Sequence, residues 1–154
     1  MIDGDLRKIF RDRLRRGIHW QSIETGGTGR GIPDSNYCTE GVEGWVEFKA
    51  TEGWAVGLTP EQVGWHLERW MRGGWTHVAT RRRHDGGPRR GDPVDELWIA
   101  EGCWVRELAT DGLRADVPMT VLRGGPGAWD WDTVRRILVK RPGVLLQSSG
   151  DPRG

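Results

Sequence analysis

Apolar and polar positions along the chain follow two periods, and each change of period marks an element. Between residues 3 and 16, Leu6, Ile9, Phe10 and Leu14 return at helical spacing with basic residues between them. This predicts an amphipathic helix with Gly17 as its stop. Residues 18–24 alternate and read as a strand. Residues 25–31 hold four glycines and read as a loop; they lack the GxxxxGK[ST] pattern of a phosphate-binding loop. Residues 32–38 and 42–50 read as two strands of a hairpin that turns at 39–41. Thr59, Pro60 and Gln62 then open a helix, as N-cap, first-turn proline and capping-box partner. Val63, Leu67, Trp70 and Met71 share one face of that helix to about Arg72, and Gly73-Gly74 ends it. Residues 75–81 read as a strand, 82–93 as an exposed loop and 94–100 as a strand. Past Gly102 the pattern weakens to a short strand or helix within 103–109, loops through 128 and a helix near 131–140. The order predicts an α/β fold, a central mixed sheet flanked by helices, with one domain over 1–140 and a flexible tail over 141–154.

Composition narrows the class. In 154 residues, 36% are hydrophobic and 29% charged, a globular balance with room for a single core. No apolar run reaches the ~20 residues of a membrane helix, and no signal peptide is expected at the start. Cys38 and Cys103 form no CxxC or Cys/His cluster, which predicts free thiols, no structural zinc and a cytoplasmic setting. His19, His66, His77 and His84 show no ligand spacing and are expected to be structural. Net charge is only +1, so it is the distribution that is informative. Arg7, Lys8, Arg11, Arg13, Arg15 and Arg16 cluster on the first helix, and Arg81, Arg82, Arg83, Arg89 and Arg90 form a second group. Such clusters suit a phosphate backbone and equally suit a solvated face. Of 23 cations, only Lys8, Lys49 and Lys140 are lysines, so each invites a reason. Trp20, Trp45, Trp70, Trp75 and Trp98 read as core, whereas Trp54 and Trp65 are candidates for a DNA or dimer surface.

The chemistry gathers in Gly31-Ile32-Pro33-Asp34 and Trp45-Val46-Glu47-Phe48-Lys49. Glu47 and Lys49 share a strand face, with Val46, Phe48 and Ala50 turned to the other. A hairpin brings Asp34 beside Glu47, so two carboxylates and an ammonium converge. Mg²⁺, or Mn²⁺ in its place, takes oxygen ligands and is held by one or two carboxylates. Asp34 and Glu47 are the candidate ligands, with the main-chain carbonyl of Phe48 as a third. Lys49 would orient water or stabilise charge on a phosphoryl oxygen, a task for a compact ammonium rather than a guanidinium.

Gly-Ile-Pro-Asp followed by Glu-Phe-Lys resembles the PD-(D/E)xK nuclease superfamily. Within it, the chain is similar to small VRR-type and phage nucleases related to archaeal-type Holliday junction resolvases. The resemblance covers roughly residues 3–81; residues 82–154 carry no assignable motif. It implies a restriction-endonuclease-like core, a divalent metal, DNA as substrate and a homodimer. It further implies an acidic ligand on the first helix, where Asp3, Asp5 and Asp12 are available and Asp3 shares the face of Leu6 and Phe10. By the same resemblance Thr28 and Arg30 fall where such enzymes contact phosphate; the Gly-rich loop equally accommodates them as turn residues. Gln62 stands either as a helix cap alone or also as a catalytic-site residue, and Glu24 is a possible neighbour of the site.

The reading that follows is a metal-dependent, structure-selective endodeoxyribonuclease, first of all a Holliday junction resolvase. A less selective nicking, repair or restriction-like nuclease is the alternative within enzymes. A non-catalytic DNA-binding relative is the alternative outside them, and the complete Asp34, Glu47, Lys49 set argues against it.

Overall fold

The computed structural model describes residues 3–23 and 30–140, so Glu24, Thr28 and the expected tail lie outside the described residues. Six strands form one mixed sheet in sequential order: β1 (His19–Ser22), β2 (Ser35–Thr39), β3 (Val42–Thr51), β4 (Thr76–His84), β5 (Val94–Glu101) and β6 (Thr120–Arg123). Every neighbouring pair is antiparallel except β3 and β4, which are parallel. A parallel pair needs a crossover, and α2 (Pro60–Met71) supplies it. The other helices are α1 (Asp3–Arg13), α3 (Val105–Asp111) and α4 (Trp131–Val139), with 3₁₀ turns at Gly102–Trp104 and Gly112–Arg114.

Two cores lie on the two sheet faces. On one, Leu6 and Phe10 of α1, Leu14 just past its end, and Val134 and Leu138 of α4 pack on Trp20, Tyr37, Val46, Phe48, Ala79, Leu97 and Ile99. The Phe10 and Phe48 rings meet edge to face at 4.9 Å. Tyr37 fixes α4 by donating its hydroxyl to the Leu138 carbonyl at 2.7 Å. On the other face, Val63 and Leu67 of α2 and Val105 and Leu108 of α3 close over Val78 and Ala100.

Several boundaries differ from the sequence pattern. The first helix ends at Arg13 rather than 16, because Ile18 must turn into the core beside Leu14. The 39–41 turn tightens to Glu40-Gly41, both at positive φ, the two-residue loop that matches strand twist. Met71 is 78% exposed rather than on the buried face of α2. Strand β4 runs on to His84, so Arg82 and Arg83 are not in a loop. Strand β6, four residues before Gly124-Gly125, lies where only loop was expected; it is too short to show an alternation. Among the described residues, no helix is long and apolar enough to cross a membrane.

The histidines include two buried between helix and sheet. His66 Nδ1 lies 2.9 Å from Thr76 Oγ1, while among the described residues His66 Nε2 and both ring nitrogens of His77 have no hydrogen-bond partner. Burial lowers His66 to about 4, with the Lys49 charge adding to it, and lowers His77 to about 3, with His66 adding. The folded chain therefore keeps both rings neutral while the unfolded chain protonates them below about pH 6.5. Their contribution is present above that pH and is lost as pH falls toward the folded values. Urea denaturation at pH 7 and pH 5 should show His77→Leu losing less stability on acidification than wild type. Equal losses would remove His77 from the acid limb.

Candidate active site

The site forms where β3 outruns β2. Their ladder stops at the pair Ser35 and Val46, and β3 continues beside β4 to Thr51. Pro33, with no N–H to donate, precedes the last turn of chain into β2. There side-chain bonds take over from the ladder. The Asp34 amide donates to Glu47 Oε2 at 3.2 Å, and Asp34 Oδ2 accepts from the Phe48 amide at 2.9 Å. The Asp34 carbonyl is tied to the Ile23 amide at 2.9 Å, which sets the loop against the end of β1. Gly31, at φ +86°, lies so close to the Glu61 carbonyl that a Cβ there would collide with it. The Pro33-Asp34 loop is thus pressed onto the first turn of α2.

Helix α2 closes the site from above. Thr59 Oγ1 accepts from the Gln62 amide at 3.1 Å, and Gln62 Oε1 accepts from the Thr59 amide at 3.0 Å, a reciprocal capping box. The same Gln62 side chain donates through Nε2 to Glu47 Oε1 at 2.7 Å and accepts from Lys49 Nζ at 3.1 Å. Gln62 therefore caps the helix and also bonds to both Glu47 and Lys49. Lys49 also donates to the Gly57 carbonyl at 2.8 Å and sits 3.6 Å from Glu47 Oε1. The Gly57 contact had no signal in the sequence, because it depends on how the segment between Thr51 and Thr59 folds back.

Glu47 is 2% exposed. Burial, together with the Asp34 charge, raises its carboxyl to about 8, against the opposing pull of Lys49 and the Asp34 amide. Two carboxylates so crowded by one ammonium suit a divalent cation, which would displace the proton from Glu47. The Phe48 carbonyl fits the same set. In a strand one residue's N–H and C=O point to the same side, and the Phe48 N–H points at Asp34. Among the described residues, no group of three or more His, Cys, Asp or Glu side chains is placed to hold a metal. Two carboxylates, a carbonyl and water fit Mg²⁺, which keeps several waters and needs few protein ligands. Asp3 opens α1, but its side chain is outside what is described. Asp5 is exposed and lies within electrostatic reach of Arg81, and Asp12 is exposed.

The arginines divide. Arg7 is half-buried, and Arg11 is exposed and donates to Ser22 Oγ at 2.8 Å. Both lie on α1, across the sheet from Glu47 and Lys49. Arg30 and Arg83 are exposed. Arg81 and Arg82 correct the expectation of a free basic cluster. Arg81 makes a two-pronged bond to Asp95 at 2.8 Å, and Arg82 pairs with Glu96 at 3.0 Å, with their side chains only 8% and 11% exposed. Strand register places those carboxylates beside them, so neither guanidinium faces solvent as a phosphate contact.

Because the folded state holds the Glu47 proton up to about pH 8 while the unfolded chain loses it near 4.5, the two states diverge between those values. Glu47 therefore contributes stability that is complete below 4.5 and lost as pH rises through about 8. In chelator, wild type should lose stability between pH 5 and pH 8 relative to Glu47→Gln, and added Mg²⁺ should restore it in wild type alone. Parallel stability curves for the two proteins would show that Glu47 is ionised throughout.

No protein-family model matches this chain, and no curated protein matches it, so the geometry of the site carries the functional argument.

Proposed function

We propose that this protein is a metal-dependent endodeoxyribonuclease of the PD-(D/E)xK type. The observation that supports it most is the meeting of Asp34, Glu47 and Lys49 around Gln62 at the free end of β3. Asp34, Glu47 and the Phe48 carbonyl would hold Mg²⁺, which when bound neutralises charge on the phosphate and acidifies a water. Gln62 keeps one Glu47 oxygen in place, and the Asp34 amide keeps the other. Lys49, fixed by Gly57 and Gln62, offers a localised charge to the phosphoryl oxygens as negative charge builds there. The attacking water gives up a proton to solvent as its oxygen forms the new bond to phosphorus, the strand's P–O bond breaks, and the departing sugar oxygen takes up a proton to leave as a hydroxyl.

Cleavage of supercoiled plasmid should require Mg²⁺ or Mn²⁺ and stop in EDTA. Asp34→Asn, Glu47→Gln and Lys49→Ala should each slow it at least about a hundredfold, the scale of losing one preorganised electrostatic group, with DNA binding retained. Wild-type cleavage by Lys49→Ala would overturn the assignment.

The substrate we propose is a four-way junction. Its two symmetric cleavage positions call for two sites related by a dyad, hence a C2 homodimer. Arg7, Arg11, Arg30 and Arg83 would contact phosphates rather than bases. Light scattering should give twice 17.4 kDa, and cuts should be paired across the junction. A monomer that cuts linear duplex as fast as a junction would leave the less selective nuclease in its place.

A further inference from the structure

Helix α2 carries a second cationic feature on the face that holds Gln62. Trp65 and Arg69 follow Gln62 at helical spacing, and Trp45 lies two residues before Glu47 on the same face of β3. The rings of Trp45 and Trp65 meet at 5.2 Å, and the Arg69 guanidinium lies over both, 4.6 Å from the Trp65 centroid and 5.5 Å from that of Trp45. Gly74 makes room for it, since a Cβ there would strike the aliphatic stem of Arg69.

This placement costs conformational freedom, and among the described residues no carboxylate lies within 4.0 Å of Arg69 to account for it. The neighbouring Arg72 is matched by Glu68 at 3.0 Å, so the spare charge of this end of α2 is that of Arg69. Beside the guanidinium opens a cleft of about 640 Å³ bounded by Trp65, Glu68, Arg72 and Gly73. The adjoining sheet surface is uncovered. Gln21 and Cys38 are exposed, Asn36 is half-buried in register with Trp45, and the exposed Glu43 stands one step farther from the site. A cation held over two indoles, with no carboxylate paired to it among the described residues, beside an open polar shelf is complementary to an anion arriving from solvent. Seven residues of helix separate Gln62 from Arg69, about 10 Å, or roughly three nucleotides of duplex rise.

We propose that Arg69, seated on Trp45 and Trp65, binds a backbone phosphate of the strand being cut, a few nucleotides from the phosphate that reacts at Glu47 and Lys49. This rests on the nuclease reading. Helix α2 then acts as a rail: its first turn holds the reacting groups and its third turn holds the strand.

The test is anisotropy of a fluorescent junction and a duplex oligonucleotide in EDTA across a salt series, with cleavage in Mg²⁺ measured on the same proteins. Arg69→Gln should weaken binding about tenfold and lower the log–log salt slope by about 0.7–0.9, one phosphate's share. Its cleavage rate at sub-saturating DNA should fall in step with the lost affinity, about tenfold. Arg69→Lys should restore the slope but only part of the affinity, because an ammonium keeps the charge and loses the planar stack. Wild-type cleavage with an unchanged slope in Arg69→Gln would overturn this inference alone. An unchanged slope with a shift from dimer to monomer would make the face a subunit contact and also overturn it. If wild type neither binds nor cuts DNA, the nuclease reading fails and the phosphate contact falls with it.

Discussion

The side-chain amide of Gln62 joins the start of α2 to the end of β3, and the geometry of the candidate site depends on that joint. Its oxygen accepts from the Thr59 amide and from Lys49, and its nitrogen donates to Glu47. A glutamate would serve a capping box equally well and would suit the positive end of the helix better. It would also set a third carboxylate against Glu47, whose carboxyl already resists ionisation because it is buried beside Asp34. Only an amide offers a donor to Glu47 and an acceptor to Lys49 at once. The choice of Gln over Glu at this position is thus explained by the site, while the helix alone would accept either.

The second constraint is the early end of β2. Had the ladder continued through residues 32–34, the Phe48 amide would have bonded to backbone, and Asp34 would have been one more strand residue. Pro33 breaks that continuation by lacking a donor, and Asp34 fills the gap with its carboxylate. The result is a notch in which β3 has a partner on one side only. Glu47 sits at the inner wall, buried enough to perturb its carboxyl, and Lys49 sits farther out with 13% of its side chain exposed. A parallel β3–α2–β4 crossover returns the start of α2 to this same end of β3, which roofs the notch with Thr59 and Gln62.

Much of this was legible because it is local. The hairpin, the capping box and the shared face of Glu47 and Lys49 follow from spacing alone, and each stands in the structure. The close approach of Gly31 to Glu61 and the contact of Arg69 with Trp45 join segments far apart in the chain, and Lys49 meets Gly57 only through the way the intervening loop folds back. No periodicity encodes such meetings. The sequence pattern marks Trp45 as core, yet it is only half-buried, since strand alternation reports which face a residue is on but not whether a helix covers that face. Strand β6 leaves no mark in the sequence because an edge strand of four residues draws its pairing from Glu96–Ile99 of β5 and from no pattern of its own.

The arginines make the same point in electrostatic form. Arg81, Arg82 and Arg83 are consecutive, and as a string they suggest a basic patch. On a strand, consecutive side chains point to opposite faces. Arg81 lies against Trp129 on the face of α4, its charge held by Asp95. Arg82 lies on the other face, 3.9 Å from the centroid of Trp54, its charge held by Glu96. The Glu96 carboxylate also takes Arg123 at 3.6 Å and the Trp98 indole at 3.2 Å, so it is wholly engaged within the sheet. Arg83 alone of the three is exposed. Arg7 and Arg11, four residues apart on α1, stay on one stripe of the helix and act together. With a net charge of +1, any attraction for a polyanion must come from such local arrangement, because paired charges screen one another within a few ångströms. What decides it is the secondary structure under each basic run: a helix concentrates the charge on one side, while a strand divides it between two faces and hands it to the carboxylates of the neighbouring strand.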